Sequence, residues 1–144
     1  MKEQTYVASV DSIPLVTSFV VDWLESLDCP MKAQTQIDLS IDEIFTNIAS
    51  YAYGSGTGDA TVQLDFDEAS RTVSITFVDS GIAYNPLEKP DPDVTLPAEE
   101  REIGGLGIYL VKKVMDGLKI QKGERLEHTH TIQENLWQMQ KEDL

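Results

Sequence analysis

The stretch DLSIDEIFTNIASYAY, Asp38 to Tyr53, decides how this chain folds. Ile37, Ile41, Ile44 and Ile48, followed by Tyr51 and Ala52, recur at the i, i+3, i+4, i+7 spacing that builds one apolar stripe on a helix. Glu43 and Asn47 stand four residues apart, so the same helix places them one turn above each other, roughly 6 Å along its axis. Both lie on the flank of the stripe, where they share one opening. A carboxylate there can take a proton from a nucleophile, and an amide oxygen is a hard ligand that suits magnesium beside water and phosphate oxygens. Taken alone, E-x-x-x-N is more often a solvated polar pair. The rest of the chain has to decide.

At 144 residues the chain is read as one domain, residues 1–144, able to bury a core without disulfides or a structural metal. Cys29, the only cysteine, admits no internal disulfide and reads as a small side chain just after a helix. His128 and His130 form an H-x-H without further ligand-spaced partners, and no metal is assigned to them. No apolar run approaches the roughly 18 residues that a membrane helix needs, so the reading is a soluble, cytoplasmic protein. A formal net charge of −14 argues against direct nucleic-acid binding, which requires clustered Lys and Arg. An anionic ligand would therefore depend on backbone N–H groups, a cation and a few local bases.

Thr5 to Val10 reads as an opening strand, and Asp11 or Ser12 offers an N-cap with Pro14 in the first turn of a helix. Val16, Phe19, Val20, Trp23, Leu24 and Leu27 form its apolar face until Asp28, Cys29 and Pro30 stop it. The second helix runs from about Met31 to Tyr53, where a glycine-rich stretch ends it. Val62, Leu64 and Phe66 alternate with Thr61, Gln63 and Asp65 on a half-buried strand. After a turn over Asp67 to Arg71, Val73, Ile75 and Phe77 continue the alternation on a second strand ending near Asp79. A layer of helices against a largely antiparallel sheet is the economical architecture.

From Ser80 to Pro97 the periodicity is lost and four prolines occur, which predicts a long loop of the lid or binding type. Gly104, Gly105, Leu106 and Gly107 then open a helix patterned by Ile108, Leu110, Val111, Val114 and Met115. Such a turn can cradle an anion on bare backbone and on the N–H groups of the helix start, or can be a tight turn with no ligand. Leu118 to Gln121 and Leu136 to Met139 read as the last strands, with 123–134 between them without a legible pattern. Asp79-Ser80-Gly81, at the end of a buried strand, places a carboxylate at the sheet edge, followed by a glycine against which a flat ring could pack; that carboxylate could accept from an exocyclic amine and so select adenine over guanine.

In this order, the E-x-x-x-N helix, D-x-G after a strand, a proline-rich loop and G-x-G before a helix resemble the GHKL ATPase superfamily of gyrase, MutL and histidine kinases. Within it the chain is most similar to the RsbW-like anti-sigma-factor serine kinases: Leu39 to Tyr53 resembles their N-box, Val78 to Pro86 their adenine motif, and GGLGIYLVKKVMD from Gly104 to Asp116 their phosphate motif. The resemblance covers roughly residues 5–120 and weakens after Gly117. It implies an α+β fold, a two-layer α/β sandwich of the Bergerat type. In it, a mainly antiparallel mixed sheet is covered by helices on one face, with a mobile lid at about 84–103. It implies ATP and Mg2+, with Glu43 as general base, Asn47 as the metal ligand and Asp79 as the adenine reader. Gly81 and Ala83 would line the base site, and Arg101, Gly104, Gly105, Leu106 and Gly107 the phosphate site. Arg101 lies slightly farther upstream than the arginine usual in the group, with Ile103 intervening. The implied function is phosphorylation of a serine on a small anti-sigma-factor antagonist together with binding of a sigma factor, in a possible homodimer. The alternative is an ATP-binding module that sequesters a protein partner without kinase activity.

Overall fold

The computed structural model describes residues 1–54, 56–81, 111, 113, 115, 117–122 and 128–136. The expected lid at 84–103, with Ala83, Arg101 and the Gly104, Gly105, Leu106, Gly107 turn, lies outside the described residues. The elements run β1 (Lys2–Val7), α1 (Ile13–Ser26), α2 (Met31–Asn47), β2 (Asp59–Asp67), β3 (Thr72–Asp79), β4 (Gly117–Lys122) and β5 (His128–Asn135). A 3-10 turn at Val10–Ser12 leads into α1, and a π-helical turn at Ile48–Ala52 extends α2. The five strands form one sheet in the order β1-β2-β3-β5-β4, and every described pairing is antiparallel. This is the two-layer α+β architecture expected from the sequence.

Alternation builds the sheet. On β3, Val73, Ile75 and Phe77 are buried, facing Val62 and Leu64 of β2 on one side and Ile132 of β5 on the other. The helices cover that face through Val16, Val20 and Leu24 of α1 and Ile37, Ile41, Ile44, Phe45 and Ile48 of α2 and its extension. The Phe45 and Phe77 rings meet edge-on at 6.5 Å, tying α2 to the central strand. Fully burying side chains of this size contributes roughly 1.5–3 kcal/mol each, so this shared layer is the main source of stability. The opposite face is polar, laced by pairs such as Thr76 with Thr131 at 3.0 Å.

α1 begins after Ser12, with Pro14 in its first turn where the missing N–H costs nothing. It stops where Asp28 takes a left-handed φ of 55° and the Cys29 N–H bonds back to the Leu24 carbonyl. Between β2 and β3, Asp67 Oδ1 accepts from the Ala69 N–H, and Arg71 turns left-handed at φ 52°. Farther along the chain, Val111 and Met115 are both in the core, and the Met115 N–H bonds to the Val111 carbonyl at 3.0 Å. That spacing is the helical one expected after the glycine-rich turn.

Several expectations are corrected. β1 starts at Lys2 and ends at Val7, because its partner β2 extends to Asp59 and sets the pairing Val7 with Asp59. Tyr51 is 48% exposed, whereas Ala52 is fully buried: the wider π turn holds more residues per turn than an α-helix, which moves position 51 off the stripe and keeps 52 on it. Phe66 is only half-buried, since it lies near the end of the hairpin, where the Arg71 guanidinium stands 5.9 Å from its ring. Among the described residues the last strand is His128–Asn135, which runs through the stretch that had no legible pattern and ends before Leu136, where a strand was expected to begin. Leu136 follows β5 and donates to the Arg71 carbonyl, and 137–139 lie outside the described residues. β5 was illegible because its inward face is His130, Ile132 and Glu134, two polar residues around one apolar one.

A candidate site between the end of α2 and the end of β3

Glu43 and Asn47 are both half-buried on the flank of α2, as the helical spacing requires. Burial, reinforced by the neighbouring Asp42 carboxylate, holds the Glu43 carboxyl above the ordinary glutamate range. A base is more effective when its pKa is raised towards the working pH while it remains ionised, so the environment moves Glu43 in the direction that general-base catalysis favours. Asn47 is the last residue of α2, and its side chain makes no capping bond to the turn that follows. Among the described residues no cluster of three His, Cys, Asp or Glu side chains could hold a metal ion. Asn47 could offer a cation its hard amide oxygen beside water and ligand oxygens, a donor set that suits magnesium.

Asp79 continues the inward alternation of Val73, Ile75 and Phe77, so a carboxylate occupies a core position at the end of β3 and is only 1% exposed. β3 is flanked by β2 and β5, which puts Asp79 inside the sheet end and not at a sheet edge. The Gly81 N–H donates to Asp79 Oδ1 at 3.0 Å, a turn closed by the side chain that also fixes the plane of the carboxylate. Its other oxygen, Oδ2, faces His130 Nδ1 at 3.9 Å, beyond hydrogen-bond length. His130 is 2% exposed and lies opposite Phe77. No local pattern in the sequence marks it, because a long-range register brings it beside Asp79.

Gly81 explains how the two halves meet. A Cβ built on Gly81 would overlap the carbonyl of Ala52 and stand 2.8 Å from the Ala52 Cβ. Only a residue without a side chain lets the end of β3 rest against the π turn that follows Asn47. Of the predicted site residues, the structure thus brings Gly81, two residues past Asp79, against the π turn that extends the helix carrying Glu43 and Asn47. A shallow concavity of about 420 Å3 at the β2–β3 turn, lined by Glu68, Ala69, Ser70, Arg71 and Asn135, lies at the opposite end of β3 and is separate from this site.

Two other acidic groups matter for stability but lie elsewhere. Burial raises Asp38, whose Oδ1 has no partner among the described residues. Burial, then Glu134 and Asp38, push the Cys29 thiol up to about 11. It stays protonated at neutral pH, and the reading of Cys29 as structural stands. For Glu43 and Asp38 the folded pKa exceeds the unfolded one, so the native state holds these protons more tightly. Their contribution is therefore favourable below the unfolded value, about 4, and is lost as pH rises through the raised folded value. Asp38→Asn is accordingly expected to raise the thermal midpoint at pH 7, with the gain shrinking towards pH 4. A variant no more stable than the parent at pH 7 would refute that account.

Among the described residues, helices α1 and α2 lie over an antiparallel sheet, and the helix layer meets the end of the central strand at a bare glycine, an α+β sandwich of the histidine-kinase ATPase type. The profile of the Histidine kinase-like ATPase domain matches residues 6–132, and the chain belongs to that family. Its curated relatives are RsbW-like serine kinases. The chain is 29% identical over 92 residues to the serine/threonine-protein kinase BtrW of Bordetella bronchiseptica, a match covering 64% of each protein. It is 31% identical over 90 residues to the serine-protein kinase RsbW of Bacillus mycoides, covering 60% of this chain and 55% of that one. These matches span less than two thirds of either relative. Among solved structures, the RsbU and RsbW domains of a Mycobacterium tuberculosis protein superpose with a TM-score of 0.61 at 14% identity, over 94% of this chain and 33% of that one. The blue-light activated histidine kinase of Erythrobacter litoralis gives 0.60 at 18% identity, over 79% and 34%. Both likenesses concern the fold. No helix among the described residues is long and apolar enough to cross a membrane.

Proposed function

We propose that this chain is an ATP-dependent protein serine kinase of the anti-sigma-factor type, which phosphorylates a small antagonist protein and binds a sigma factor. The observation that supports this reading is the close approach of Gly81 to Ala52, which brings the end of β3 to the π turn that follows Asn47, with Glu43 and Asn47 half-buried and Asp79 buried. The names of the relatives, serine/threonine-protein kinase and serine-protein kinase, support the same reading.

In this reading Asp79 accepts from the exocyclic amine of adenine, and Gly81 lets the flat base approach bare backbone. Ala83 lies two residues beyond on the same segment, and Arg101, Gly104, Gly105, Leu106 and Gly107 supply backbone donors and one cation to the phosphates. Glu43 takes the proton of a serine hydroxyl as that oxygen bonds to the γ-phosphorus; the bond to the bridging oxygen breaks and ADP leaves with its electron pair. Magnesium, held by Asn47, would neutralise the charge on the transferring group. The chain's own contribution is positioning and one proton.

The test is calorimetric titration of ATP, with and without magnesium, on the parent protein and on Asp79→Asn. Magnesium-dependent binding that the substitution weakens at least about tenfold, or 1.4 kcal/mol, is expected. No binding to the parent protein would refute the nucleotide reading. The second reading, a module that sequesters its partner without modifying it, is favoured by the position of Arg101 with Ile103 between it and the glycines. Label from γ-labelled ATP on a serine of a candidate antagonist would eliminate it.

A further inference from the structure

Tyr53 joins three parts of the chain that meet at the candidate site. Its Oη donates to the Asp59 carbonyl at 2.6 Å, where β2 begins, and accepts from the Ser80 N–H at 3.0 Å, just past the end of β3. Its own carbonyl accepts from the Gly56 N–H at 2.9 Å. The ring lies where a Cβ on Gly58 would fall inside it, so this glycine leaves the space that the ring fills. A phenol can donate and accept at once, and here both functions are used.

Ser80 is the middle residue of the Asp79–Gly81 turn. Each residue of that turn is held differently: Asp79 by the strand pairing, Ser80 by the Tyr53 hydroxyl, and Gly81 by Asp79 Oδ1 and the Ala52 backbone. Where the Asp79 carboxylate points therefore depends on the turn as a whole. We propose that Tyr53 is a positioning residue for base selectivity, acting through Ser80 to fix the Asp79 carboxylate towards a 6-amino purine. This inference rests on the reading of Asp79 as the adenine contact. Tyr53 does not itself touch the base. It holds the reader in register with the helix that carries Glu43 and Asn47.

Both hydroxyl bonds are solvent-accessible, so water can replace them in Tyr53→Phe, which keeps the ring and its seat on Gly58. The variant should fold with little change in thermal midpoint, while its turn loses one tether. ATP affinity is expected to fall about tenfold, whereas GTP, which carries a carbonyl where ATP has the amine, should change little. Discrimination between the two would narrow. A general loss of structure would lower both affinities together. The decisive measurement is a double-mutant cycle on ATP and GTP affinity with Tyr53→Phe, Asp79→Asn and the pair. If Tyr53 acts through Asp79, Tyr53→Phe adds no further loss in the Asp79→Asn background. Gly58→Ala, which keeps the hydroxyl but drives the ring off its seat, should reproduce the narrowing; if it does not fold, Tyr53→Phe decides alone. An unchanged ratio of ATP to GTP affinity in Tyr53→Phe, or full additivity with Asp79→Asn, overturns the proposal. If Asp79→Asn itself leaves ATP affinity intact, the reading of the site fails instead.

Discussion

Replacing Glu43 by Gln is expected to lower phosphate transfer by about 10²- to 10⁴-fold, the range that a positioned general base contributes, while ATP binding stays nearly unchanged. Glutamine keeps the size of the side chain and its place on the flank of α2, and loses only the ability to take the proton. Since burial and Asp42 raise the Glu43 carboxyl, transfer by the parent protein should fall on acidification through a value above the ordinary glutamate range. The Gln variant should lack that limb. Label transfer to a serine-bearing antagonist across pH, beside calorimetric ATP affinity, measures both. Transfer that survives in Glu43→Gln at the parental rate would show that another group is the base.

Gly81→Ala is expected to damage fold and site together. The added Cβ meets backbone, the Ala52 carbonyl, and not the yielding end of a flexible side chain. Either the π turn or the end of β3 must move, and overpacking of this kind costs roughly 1–3 kcal/mol. For a domain of this size that lowers the thermal midpoint by roughly 3–10 °C. The same shift parts Asp79 from the helix that bears Glu43 and Asn47, so ATP affinity should fall more than tenfold even at temperatures where the variant is fully folded. Thermal unfolding and ATP titration of one preparation separate the two effects. Parental stability with parental affinity would show that the close approach of Gly81 and Ala52 does not hold in solution.

The two predictions draw on different kinds of information. Glu43 and Asn47 were legible because four-residue spacing on a helix is a local property, and the isoleucine stripe identifies which flank they occupy. Asp79 was legible as a carboxylate ending an alternating strand, although its burial was not, since that depends on β5 lying beside β3. His130 has no local signature for the same reason. An H-x-H in a polar segment carries no sign that one imidazole faces inward across from Phe77. Periodicity puts Tyr51 on the apolar stripe because it assumes that the 3.6-residue period continues, whereas a π turn interrupts that period and leaves Tyr51 exposed.

The sequence by itself determined the helices, the β2–β3 hairpin, the order of motifs and hence the family, because each follows from side chains a few residues apart competing for one apolar face. Only the tertiary structure decided the place of β5, the closeness of Asp79 to His130, the contact of Gly81 with Ala52 and the tether from Tyr53 to Asp59 and Ser80. Such contacts join residues distant along the chain, and their energy exists only once the hydrophobic layer has closed. Polar groups are then chosen by the position they occupy at its rim, and no local pattern records that choice.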